Sequence, residues 1–206
     1  MSGSTAANVA APVWRRTPSL PIIVAGAATG ALLWWQAAAG GDALLVVARA
    51  VAVAIAAASA MVVEDPSESI SEVTPFGRPR RRLLAVALTG LVAAATWATV
   101  VGLAARLAST EDLPIGSLSI EFAGLCVLGW TLGYRTVGAF GPVGAGARST
   151  FALPVVVVCS LVWPWAREHL WESAEHTRNW IALIVVSAAF ACWWCRDIAT
   201  TRQSSM

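Results

Sequence analysis

The chain has 206 residues, 57% of them hydrophobic and only 13% charged, with a formal net charge of +2 at pH 7. A soluble domain carries about 45–50% apolar and about 25% charged residues, so this composition excludes an ordinary water-facing surface. The near-neutral charge, with no basic stripe outside the short flanks of the apolar blocks, argues against a nucleic-acid partner.

The apolar residues fall into long uninterrupted blocks, and about 20 residues of helix cross the roughly 30 Å of bilayer hydrocarbon. The pattern predicts an all-α integral membrane protein, multi-pass in the cell membrane. It has six transmembrane helices in one domain over residues 20–198, with both ends cytoplasmic. Residues 1–19 form a cytoplasmic lead ending in Trp14-Arg15-Arg16. The first block is longer than a signal-peptide core and reads as an uncleaved span.

Span one is expected over 20–39, and Gly40-Gly41-Asp42 then allows only a tight antiparallel turn. Span two is expected over 43–63, with Arg49 about a third of the way in from the outer side. A guanidinium at that depth costs at least about 2.5 kcal/mol on insertion scales, so it must find protein, water or a headgroup. Two readings follow. Arg49 lies on a polar pathway, paired with Glu121 one turn into span four, or it snorkels to the outer interface near Asp42.

Residues 64–82 then form a loop that begins acidic and ends in Arg80-Arg81-Arg82. Glu64-Asp65-Pro66 has the character of a helix start, with acids at the positive dipole end and proline in the first turn. Glu68, Ile70, Glu72 and Val73 continue that segment, with Ile70 and Val73 on an apolar edge. The loop reads either as a docking helix for a soluble partner or as an inside loop with topogenic arginines.

Span three is expected over 83–105, a short acidic loop at 109–114, and span four over 117–134. The glycine-rich run 138–146 lacks a Lys-Ser/Thr ending and a preceding strand, so it reads as a loop and not a phosphate cradle. Span five is expected over 150–165. Bracketed by Pro154 and Pro164, it can be tilted or re-entrant.

The segment 166–179 is polar and amphipathic, predicting an outer interfacial helix with Leu170 and Trp171 resting on the membrane. On a helix, His169, Glu172 and His176 share a face and form a weak candidate metal set, with no fourth ligand nearby. Span six is expected over 180–195, followed by a cytoplasmic tail at 199–206. Cys192 and Cys195 have redox spacing without a thioredoxin-like context and read as packing residues.

Orientation follows from arginines, since the chain has no lysine. Ten (Arg15, Arg16, Arg78, Arg80, Arg81, Arg82, Arg135, Arg148, Arg196, Arg202) fall on the side of the N-terminus, against Arg106, Arg167 and Arg178 on the other. The positive-inside rule then puts both ends inside. Gly26-x-x-x-Gly30 and Gly129-x-x-x-Gly133 give two small helix faces suited to close packing in lipid. Most tryptophans stand near span ends, as interfacial anchors do. No nucleophile–base pair and no HExxH motif is present, so the sequence gives an enzyme reading no anchor.

The spans, the 64–82 loop with Glu64-Asp65-Pro66, Thr74-Pro75 and Arg80-Arg81-Arg82, and the amphipathic segment before the last span together resemble the membrane subunit of an ABC-2-type exporter, in particular small actinobacterial ABC permeases. The resemblance implies a permease that pairs with a second membrane subunit, identical or not, and with a separate ABC ATPase subunit. ATP would be bound on that partner and no cofactor on this chain. It implies that Glu64 to Val73 is the coupling element and Ala166 to Asn179 the outer element.

Overall fold

The computed structural model describes residues 19–39, 43–63, 78–106, 114–140, 145–172 and 175–203, with backbone alone at 78–82, 138, 140, 145 and 191–203. Among them six long helices occur: α1 (Ser19–Ala39), α2 (Leu44–Ser59, tightening to a 3-10 turn at Ala60–Val63), α3 (Arg78–Ala104), α4 (Ile115–Phe140), α5 (Ala145–Val162) and, after a short α6 (Pro164–Arg167) and a π-helical turn (Glu168–Glu172), α7 (His176–Gln203). No strand is present among the described residues. Four helices are long and apolar enough to cross a membrane, or five if α5 and the bent segment after it count as one.

The centre of the bundle is α2, with 56% of its apolar window buried against 22% for α1 and α3. Its sequence explains the position. Ala48, Ala52, Ala56, Ala57, Ala58 and Ala60 leave a thin cylinder, so α1, α3, α4 and α5 all pack against it, with Val51 and Ile55 filling between them. Small residues let helix backbones approach closely where apolar solvent gives no driving force.

Both glycine faces are used inside the chain. Gly26 and Gly30 lie against Thr96 and Val100 of α3, so closely that a Cβ at Gly26 would overlap the Thr96 methyl. Gly129 and Gly133 lie against Ala60 and Val63 at the end of α2 and against Leu153 and Ser149 of α5.

These contacts set helix direction. Positions 26 and 30 meet 96 and 100, so α1 and α3 run parallel. Arg49 meets Glu121 and Val63 meets Gly133, so α2 and α4 run parallel. Gly124 meets Trp180 and Thr131 meets Ser187, so α7 runs with α4. Gly133 meets Ser149 while Gly129 meets Leu153, so α5 runs against them. A Cβ at Gly26 would also stand 3.7 Å from Ile55 Cδ1, so α1 and α2 fold back on one another, and the six long helices alternate in direction.

Several boundaries differ from expectation. Helix α4 continues past 134 through Arg135 to Phe140, and α5 already starts at Ala145, so most of the glycine-rich 138–146 run is helical. Helix α5 tolerates Pro154 but stops at Val162, before its expected end at 165. Trp163 is extended (φ −77°, ψ 115°), as residues preceding proline are, and Pro164 opens the next helix at a 96° bend. The chain thus forms a hook, Pro164–Glu172, before α7 begins at His176.

Outward faces are apolar: Leu20, Trp34 and Trp35 on α1, Leu83 and Leu91 on α3, Phe151, Val155, Val158 and Val162 on α5, and Val185 and Val186 on α7 are exposed. A soluble monomer does not carry apolar surface of that extent.

Candidate functional site

Arg49 lies five residues after the start of α2 and Glu121 six after the start of α4. With about 1.5 Å of rise per residue, parallel helices bring the two to one level, some 8 to 9 Å below their starts. They join as a fork. Arg49 Nε donates to Glu121 Oε2 at 2.9 Å and Nη2 to Oε1 at 3.0 Å. Glu121 is 1% exposed, the single charged group among the buried described residues. His176 Nε2, at the first turn of α7, stands 3.6 Å from Glu121 Oε1.

The hook forms a roof over this pair. Arg49 Nη2 also reaches the Trp171 carbonyl at 3.3 Å, and the guanidinium lies 5.0 Å from the centre of the Trp171 ring, a cation–π distance. Trp171 is buried, with its Nε1 donating to Ser160 Oγ at 3.1 Å and its ring edge-on to Trp180 at 5.3 Å. Trp180 Nε1 donates to the Leu170 carbonyl, and Asn179 Nδ2 to the His169 carbonyl, each at 2.8 Å.

Three successive carbonyls of the π-helical turn, at His169, Leu170 and Trp171, therefore each accept from a side chain outside it. Carbonyls at a helix C-terminus lack intrahelical partners and carry the negative end of the dipole, so a guanidinium there is favoured. Beside the pair, Phe122 stacks on Trp97 at 4.9 Å, and Trp97 Nε1 donates to Ser119 Oγ.

Two expectations are corrected. Trp171 does not rest on a membrane but is buried as the roof of the ion pair, and Leu170 packs against the core. Trp180 is likewise buried, in contact with Gly124, where absence of a Cβ makes room for its indole.

The His169, Glu172 and His176 set does not converge, because the π-helical turn and the start of α7 replace one continuous helix. His169 Nδ1 donates to the Trp165 carbonyl with its ring stacked on Trp165. Glu172 pairs with Arg167 at 2.6 Å, and His176 faces Glu121. No cluster able to hold a metal occurs among the described residues.

The coupling candidates Glu64, Asp65, Pro66, Glu68, Ile70, Glu72 and Val73 lie outside the described residues, as does Asp42, and the Cys192 and Cys195 side chains are not described. Sequence reasoning missed Trp171 as a partner of the pair, and Ser160, Asn179 and Trp180 as the residues that hold the hook. The usable signal was the Trp163-Pro164 break shortly after Ser160, with Trp171 and Trp180 nine residues apart beyond it.

Comparison with known proteins adds no relative: no family model matches this sequence, no curated protein does, and no solved structure does.

Proposed function

We propose that this chain is the membrane-spanning permease subunit of an ABC-type exporter in the cell membrane. It crosses six times with both ends cytoplasmic, forms a dimer of membrane subunits, and works with a separate ATPase subunit that binds and hydrolyses ATP. The observation that carries the reading is the hook: the fifth long helix ends in a 96° break, and a short helical return precedes the last long helix. That is the position of the outer element which the resemblance to ABC-2-type subunits implies. The apolar outward faces and the alternating helices support membrane embedding and an even number of spans.

In this reading the bundle has two arrangements, and a nucleotide-driven partner biases their equilibrium through the 64–73 segment. Arg49 and Glu121 are the pathway residues. Affinity purification of the chain from its native host, read for a co-purifying ATPase, tests the assignment. The complex is expected to be lost when residues 64–73 are replaced by a Gly/Ser linker; an unaltered complex sinks the coupling role.

One observation favours a second reading. Arg49 and Glu121 satisfy each other, and a buried pair of that kind can serve to set helix register. A non-transport scaffold or regulatory protein would need nothing more, and predicts no ATPase partner. A metal-dependent membrane enzyme using His169 and His176 is disfavoured, since His169, Glu172 and His176 go to three different partners.

A further inference from the structure

We propose that the hook Pro164–Glu172 is a lid over Glu121, hinged at Trp163, and that Arg49 is its latch. The inference stands on the geometry of the hook and does not depend on the exporter reading.

The hinge is built into the chain. Proline at 164 has no N–H to continue the α5 ladder, and extended Trp163 is where the direction changes. Helical bonding brackets this residue, with Trp163 N–H donating to the Cys159 carbonyl and Arg167 N–H to the Trp163 carbonyl. Trp163 is therefore a hinge at one end of the hook, where a change of angle need not unwind α5, while the other end stays bonded to α7 through Asn179 and Trp180. The hook contains a π-helical turn, a rare arrangement that is frequent at functional sites.

What holds the lid differs in kind from one bond to the next. Asn179 and Trp180 lie in the first turns of α7, ten residues along the chain from the carbonyls they cap, so these bonds fold the hook onto its own continuation. The Ser160 bond ties Trp171 back to α5, across the hinge. Arg49 comes from the central helix, and its guanidinium binds two groups at once: the Glu121 carboxylate of α4 and the carbonyl and ring face of Trp171. Remove that cation and the hook keeps its attachments to α5 and α7 but loses its attachment to α2.

Hydrogen exchange of the full-length protein in lipid nanodiscs tests this, read by mass spectrometry over peptides covering 163–172. Arg49→Met alone would leave Glu121 buried beside apolar groups and endanger the fold, so the informative variant is Arg49→Met with Glu121→Gln. That pair strands no charge and leaves His176 a polar neighbour. The expected result is exchange in the hook about tenfold faster or more, the effect of losing one charge-assisted hydrogen bond, with α1 and α3 unchanged. Wild-type exchange in the hook would overturn the latch. So would an equal rise throughout the bundle, which would mean that the pair serves the whole fold.

Discussion

At the scale of single residues, the chemistry concentrates on one carboxylate. Glu121 is buried on a stretch of α4 where Leu118, Phe122 and Leu125 are buried too, a setting in which an uncompensated charge is costly. Its partner Arg49 keeps 23% of its side chain accessible, so the two differ in what they lose on separation. Taking away one member of a buried pair costs about 3–5 kcal/mol, whereas replacing both with apolar groups is often neutral. Glu121→Leu should therefore lower the melting temperature in detergent sharply, and adding Arg49→Met should recover most of the loss. Fluorescence-detected thermal melts of the two singles and the double make the cycle; additive losses would mean that the fork contributes no coupling. Arg49 and Glu121 were legible in the sequence as rare charges in apolar blocks, because lipid makes such residues expensive. The roof was not. Trp171 and Trp180 look like any other tryptophan near a span end, and burial beneath a folded-back segment leaves no trace in local hydropathy.

Among the helices, the closest approaches depend on missing side chains. Gly26 faces the Thr96 methyl, and that methyl is held in place because Thr96 Oγ1 donates to the Val92 carbonyl at 2.9 Å. Gly26→Ala should cost about 1–3 kcal/mol, the usual range for overpacking a filled site. Thr96→Ser deletes the obstructing methyl while keeping the hydroxyl, so the double variant should melt close to wild type. Failure of Thr96→Ser to rescue would mean that α1 and α3 meet in another register. The sequence marked Gly26 and Gly30 as a small face but named no partner, since Thr96 and Val100 share their four-residue spacing with many pairs in α3. Pro154 and Pro164 were equally visible as bracketing residues. Their different outcomes come from context: helical backbone flanks Pro154 on both sides within α5, whereas Pro164 follows a residue already extended and opens a segment whose carbonyls Asn179, Trp180 and Arg49 satisfy.

For the molecule as a whole, two independent lines meet at its ends. Arginine counting over the six expected spans predicts that the N-terminus, Arg135, Arg148 and the C-terminal arginines share one side, a reading of the sequence alone. Helix direction rests on side-chain register. The contacts of Gly124 with Trp180 and Thr131 with Ser187 make α7 run parallel to α4, and α5 runs opposite to both. Parallel α2, α4 and α7, alternating with α1, α3 and α5, bring the start of α1 and the end of α7 to the same end of the bundle. Were α5 to dip into the bilayer and return through the hook to its starting side, α7 would have to run against α4, and the Trp180 indole could not sit over Gly124. Single cysteines added beyond each terminus, in a variant with Cys126, Cys159, Cys192 and Cys195 replaced by Ala, should thus both react with a membrane-impermeant maleimide in inverted vesicles. Neither should react in intact cells. A cysteine at position 110 should show the reverse. Termini reactive from opposite faces would require an odd number of crossings, a result incompatible with the α4–α7 register and with the hook as an outer element.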